Sequence, residues 1–304
     1  MSDNIPVITE EEQVEEKLIL PPPVMRPGLL KDKVLAFAHP GAVIAIFDTE
    51  TTGLNPEERD HIIEFAGMLW SISEDYSLNK LDEIQIYIKP PFPVSEKITE
   101  LTGISNVFLA DKPSEIEVVD KIRTFLKQAD FVAGHNVNFD IRFVNSTMLR
   151  NRRPSPIVDY LDTLQLARDI IQKDSVPNYK LGTLLAAFKL DEGIQFHSAI
   201  DDVGATSILF EKLLQYYQAQ PEGDIALPEV TVKGVQYWEK HGLARIYVNT
   251  DQGSVFFQSE EYFGSKDLDV TRINMEKLKQ DAIEFIGAKS FYELLRFRGS
   301  KGSR

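Results

Sequence analysis

No cysteine occurs in the 304 residues, so disulfides and thiolate-held zinc are both excluded. No apolar run reaches the roughly 20 residues needed to cross a bilayer. The first residues also lack the charged, apolar and small-residue order of a secretion signal. Together these absences lead to the expectation of a soluble, cytoplasmic protein with no membrane partner. Positive charge is scarce as well: 33 Lys and Arg stand against 47 Asp and Glu, a net charge of −14. Such a balance argues against broad nucleic-acid binding driven by overall charge. It does not bear on a local site whose carboxylates are neutralised by divalent cations.

What is present supports a sizeable core, since 43% of the residues are hydrophobic and 10% aromatic, and the length suits one large or two modest domains. Residues 1–35 read as an acidic, Pro-rich flexible tail, with six acids against Lys17 in the first 20 positions, then Pro21-Pro22-Pro23 and Pro27-Gly28. The body follows over 36–220. Val43–Asp48, Ile62–Trp70 and Glu83–Lys89 read as strands of an antiparallel meander, the last alternating with Ile84, Ile86 and Ile88 on one face. Ser114 and Glu117 form a capping box ahead of a helix whose stripe is Val118, Ile122, Phe125 or Leu126, and Ala129. Short strands are expected at Phe131–Ala133 and 157–159. Helices are expected over 140–150, 163–172, 180–188 and 198–217. Strands followed by alternating strands and helices imply an α/β fold, a mixed sheet flanked by helices. Beyond Pro221-Glu222-Gly223, three more strands (230–238, 243–249, 254–258) and two helices (274–286, 289–297) suggest a small α+β module over 221–304. Its end is basic, with Arg296, Arg298, Lys301 and Arg304.

The apolar run Ile44–Phe47 leads directly into Asp48 and Glu50. In a strand, residues i and i+2 share a face, so the two carboxylates point the same way. Two like charges so close are unfavourable without a cation between them. Taken alone, the pair is either a solvated strand end or half of a metal site. Two later stretches offer the remainder. His135-Asn136-Val137-Asn138-Phe139-Asp140 places an acid after a short strand and polar loop, and His197-Ser198-Ala199-Ile200-Asp201-Asp202 places a His and two acids at a helix start. Each also has a plain reading, because acids in a first helical turn are favoured by the helix dipole. His39, His61, His135 and His241 belong to no complete constellation.

In order, these stretches read Asp-x-Glu, Asp, His-x4-Asp. The sequence here resembles the DEDDh 3′→5′ exonucleases, the superfamily that includes the epsilon proofreading subunit of bacterial DNA polymerase III. The resemblance covers about residues 41–218. It rests on Phe-Asp-Thr-Glu-Thr-Thr-Gly-Leu (47–54), Leu-Thr-Gly-Ile (101–104), His-Asn-Val-Asn-Phe-Asp (135–140), Asp-Thr-Leu (162–164) and Lys-Leu-Gly-Thr-Leu (180–184).

The resemblance implies a ribonuclease-H-like fold and hydrolysis of nucleic acid to nucleoside monophosphates from a 3′ end. It implies two Mg²⁺ or Mn²⁺ ions held by Asp48, Glu50, Asp140 and Asp202, with Asp48 bridging both, Asp140 serving the second, and His197 as general base. Thr51 would hold the terminal 3′-hydroxyl, Leu54 would pack on the last base, and Phe139 would line the groove. Counting from His197, the family spacing selects Asp202 over Asp201, and Asp162 reads as a helix N-cap. The expected partners are 3′ ends of single-stranded DNA or RNA, with Thr51-Thr52-Gly53 closer to the DNA-acting branches. Two alternatives are a proofreading subunit docked on a DNA polymerase and a non-catalytic nucleic-acid-binding scaffold.

Overall fold

The computed structural model of the chain describes residues 20–157, 159–194, 198–220, 232–240, 243–250, 253–258 and 276. Its elements run α1 (Lys31–Phe37), β1 (Val43–Thr51), β2 (Ile62–Ile72), β3 (Leu78–Tyr87), α2 (Glu96–Thr102), α3 (Asn106–Leu109), α4 (Glu115–Leu126), β4 (Phe131–Gly134), α5 (Asn138–Arg150), β5 (Tyr160–Asp162), α6 (Thr163–Ile170), α7 (Leu181–Phe188) and α8 (Ala199–Ala219). Three strands follow, β6 (Val232–Lys240), β7 (Leu243–Thr250) and β8 (Gly253–Gln258).

The first five strands form one sheet in the order β3-β2-β1-β4-β5. β1, β2 and β3 pair antiparallel, whereas β4 and β5 join parallel to β1. This is the mixed, ribonuclease-H-like arrangement expected. Hydrophobic cores lie on both faces. Ile44 and Ile46 of β1 pack with Val203, Leu209, Phe210 and Leu213 of α8, while Ala45 and Phe47 pack with Val119, Ile122 and Phe125 of α4 and Phe143 of α5. That two-sided burial explains the unbroken apolar run. Both parts of the Ser114–Glu117 capping box are present at α4.

Several boundaries differ from the sequence reading. The strand expected at 157–159 lies at Tyr160–Asp162, because Leu161 supplies the fully buried position in register with Ala133 of β4. The α4 stripe ends before Ala129. Residues 20–35 are not free tail. Arg26 N donates to Ile170 O (2.7 Å) and Gln172 N to Val24 O (2.8 Å). The Asp169 carboxylate accepts from Leu29 N, Leu30 N and the Tyr217 hydroxyl. Leu30 and Val34 are fully buried, each contributing about 1.5–3 kcal/mol of burial. At Gly28 the strap approaches Tyr217 and Ile170 so closely that a Cβ would overlap them. Residues 1–19 lie outside the described residues.

β6, β7 and β8 form a separate antiparallel sheet. The helices expected over 274–286 and 289–297, and the basic end, lie outside the described residues apart from 276. No helix among the described residues is long and apolar enough to cross a membrane.

Candidate active site

The face of β1 that packs under α8 carries Ile44 and Ile46, and continuing along it brings Asp48 and then Glu50. On α8, Asp202 leads a row of buried side chains spaced for one helical face, Thr206, Leu209 and Leu213. The packing that forms the core therefore also drives Asp202 against the end of β1. Oxygens of Asp48, Glu50 and Asp202 lie within 4.8 Å of one another. Asp201 has a different role. Ser198 caps α8, accepting from Asp201 N at 3.3 Å and donating to its carboxylate at 2.5 Å, and Asp201 is exposed.

Asp140 reaches the site from α5, which starts after β4 and a loop in which Asn136 adopts a left-handed φ of 63°. Thr49 N (3.0 Å) and the Thr49 hydroxyl (2.6 Å) both donate to one oxygen of Asp140. Asp140 is near enough to raise Asp48 yet stands outside the close trio.

The electrostatics are one-sided. Burial, then Asp140, Asp202, Glu50 and Glu64, hold Asp48 well above the usual carboxylate range. Burial, then Glu64, Asp202 and Asp140, push Glu50 up to about 7. Burial raises Asp140 to about 7 in spite of its Thr49 hydrogen bonds. Among the described residues, every charged group that shifts Asp48 or Glu50 is itself an acid. A cluster of this kind is a strong sink for a cation, and its donors are all hard oxygens, which suit Mg²⁺ or Mn²⁺.

The remaining expected residues are spread around this centre. Thr51 is buried, and its hydroxyl donates to Gly53 O (2.7 Å). Leu54 is 71% exposed and lines a groove with Arg59 and Phe92. Phe139 is half-buried against Phe143. His197 lies outside the described residues. Asp162 caps α6, accepting from Leu164 N (3.0 Å) and also from Asn136 N (2.8 Å). His135 bridges the Thr163 hydroxyl and Tyr179 O at 2.9 Å each, which gives it a structural place. Sequence reasoning missed Thr49 and Glu64. The signal for Glu64 was a lone charge inside the apolar run Ile62-Ile63-Glu64-Phe65-Ala66.

A family model described as exonuclease (RNase_T) matches residues 45–210. The chain belongs to this exonuclease family, part of the DEDD-type superfamily. Among curated relatives of the exonuclease domain, the DNA polymerase III PolC-type of Caldanaerobacter subterraneus subsp. tengcongensis is 35% identical over 175 residues, 57% of this chain and 12% of that protein. The PolC-type polymerase of Bacillus subtilis is 29% identical over 221 residues, 71% of this chain and 13% of that protein. The chain thus spans about an eighth of the length of these relatives. A crystal structure of E. coli Exonuclease I with a dA16 oligonucleotide aligns at 21% identity and a TM-score of 0.47, covering 58% of this chain and 42% of that one.

Proposed function

We propose that this chain is a divalent-metal-dependent 3′→5′ exonuclease that releases nucleoside monophosphates from single-stranded or frayed DNA ends. The observation that carries this reading is the convergence of half-buried Asp48, Glu50 and Asp202, with buried Asp140 beside them, in a site whose described charges are all acidic. Two divalent ions held there, when bound, supply activation of water and neutralisation of charge on the attacking and leaving oxygens. Asp48, Glu50 and Asp202 would hold the first, and Asp48 and Asp140 the second. His197 accepts the proton of the attacking water, a task suited to an imidazole whose ordinary pKa is about 6.5. Leu54, exposed at the rim beside Phe92, offers an apolar face to the last base. Thr51 and the backbone near Glu50 hold the 3′-hydroxyl, and Phe139 borders the groove.

The test is digestion of 5′-labelled single-stranded DNA, duplex DNA and short RNA. With Mg²⁺ or Mn²⁺, shortening from the 3′ end is expected. A chelator is expected to abolish it, and a 3′-phosphate to slow it strongly. Cutting of a circular single strand, or full activity in excess chelator, would overturn the reading. A second reading, action beside a DNA polymerase, is favoured by the PolC-type names of the relatives. Co-purification with a polymerase tests it.

A further inference from the structure

Glu64 is a buried acid of β2, 1% exposed, and nothing in the proposed reaction uses it. Its place is fixed by strand register. It lies opposite Glu50 on β1 and opposite Tyr87 on β3, so Glu50, Glu64 and Tyr87 form a row across three strands. Directly opposed residues of an antiparallel pair share a face with Cβ atoms about 5 Å apart, and like charges there are destabilising. The β1–β2 register shifts immediately after this pair, between Glu50 and Thr51. Irregularities of this sort re-aim side chains beside active sites.

The donors around Glu64 explain how its charge is held. Gln85 Nε2 donates to Glu64 Oε1 at 2.7 Å and also to the Tyr87 hydroxyl at 3.0 Å, and the Tyr87 hydroxyl in turn bonds Glu64. The other oxygen, Oε2, faces Ala199 N at 3.5 Å. Ala199 is the first residue of the 21-residue helix α8, whose opening N–H groups have no partner within the helix and whose dipole favours an anion at that end. Glu64 therefore spans from β3 to the start of α8. Asp202 lies three residues further along that helix.

We propose that Glu64 is a positioning residue that seats the first turn of α8 on the sheet and so sets the distance between Asp202 and Glu50. Of the two opposed glutamates, Glu64 answers to the helix and Glu50 to the cation. The inference rests on the proposed metal-dependent reaction and adds a residue to it. Groups that orient metal ligands are worth about 10–100-fold in affinity.

The test compares Mn²⁺ binding, by calorimetry, to wild type, Glu64→Gln and Glu50→Gln in the full chain, together with the melting temperature and kcat against KM. In Glu64→Gln the acceptor for Gln85 can be kept, but an amide NH₂ then faces Ala199 N, so the link to α8 is lost together with the charge opposite Glu50. The expected result is unchanged Mn²⁺ stoichiometry with affinity weakened by about tenfold, kcat lowered and KM for DNA unchanged. Raised Mn²⁺ should recover most of the activity. Equal affinity in wild type and Glu64→Gln would overturn the role, whatever the melting temperature does. A drop in stoichiometry matching that of Glu50→Gln would overturn it in favour of direct ligation. Failure of wild type itself to bind Mn²⁺ would instead remove the metal-dependent reading beneath it.

Discussion

Glu50 and Glu115 are both carboxylates drawn partly into the protein, and the chain treats them in opposite ways. At Glu115 burial works against the charge, yet His61 Nδ1 at 3.0 Å and Arg150 at 2.7 Å outweigh it and hold the group at about 2. Asn151 adds a further hydrogen bond. Glu50 has no such company, and burial with Glu64, Asp202 and Asp140 pushes it up to about 7. One carboxylate is finished by the chain itself, and the other is left for something to be supplied from solution. The first ties the start of α4 to α5 and, through Arg150 and Pro56 O, to the turn after Leu54. The second is where chemistry is expected.

The sharpest way to break this contrast is at Asp202 and Asp201. Asp202→Asn is expected to lower turnover by orders of magnitude in a folded protein, whereas Asp201→Asn, which loosens the Ser198 cap, should keep most activity and lose about 1 kcal/mol of stability. Steady-state rates and urea unfolding of the two variants check this. The reverse pattern would place the working acid one residue earlier.

The next effect is the pH dependence of stability without metal. Glu50 and Asp140, each at about 7 against ordinary values of 4.5 and 3.8, bind protons more tightly folded than unfolded. Their contribution is therefore full below about pH 4 and is lost as pH rises through about 7. Glu115, depressed from 4.5 to about 2, acts in the opposite sense, stabilising above about 4.5 and failing as pH falls towards 2. Calorimetry in chelator should show the melting temperature falling from pH 5 to 8, and Mg²⁺ should flatten that slope. A slope unaffected by Mg²⁺ would separate the acidic cluster from metal binding.

Glu115→Gln should cost about 2 kcal/mol, since it removes hydrogen bonds to a charged group. Denaturant unfolding should reveal that loss with Mn²⁺ affinity unchanged. Smallest is Thr49→Val, which frees one oxygen of Asp140 from a 2.6 Å bond. A loss of about 1 kcal/mol and a few-fold change in rate are expected, read by the same two assays.

Much of this is legible in the sequence itself. The meander showed itself because buried strands need long apolar runs, and Ile84, Ile86 and Ile88 alternate as a half-buried strand must. α4 and α8 announced their starts through Ser114 and Ser198. The short helices α2 and α3 did not, although Ser95 and Ser105 cap them, because seven and four residues are too few to display a helical period. The strand Tyr160–Asp162 was expected three residues too early for a similar reason. The strap over 20–37 was hidden by its own composition, in which prolines and charges masked Leu30 and Val34. At the site, the Asp48–Glu50 pair followed from strand spacing, and Asp202 from the family resemblance counted from His197. Glu64 and Thr49 act through neighbours distant in sequence, on β3 and α8 and on α5, and no local pattern carries that information.

The strap has one more consequence. Gly28 N donates to the Gln220 side chain (3.0 Å), and Lys31 Nζ reaches Gln220 O (2.5 Å). The strap before β1 and the end of α8 are therefore stitched together at one corner. A unit whose two ends meet can be set into a surface loop of a host chain without prying the host apart, and lifted out again with its core intact. In this chain, that meeting is made by the same few residues that a reading of composition alone would have dismissed as tail.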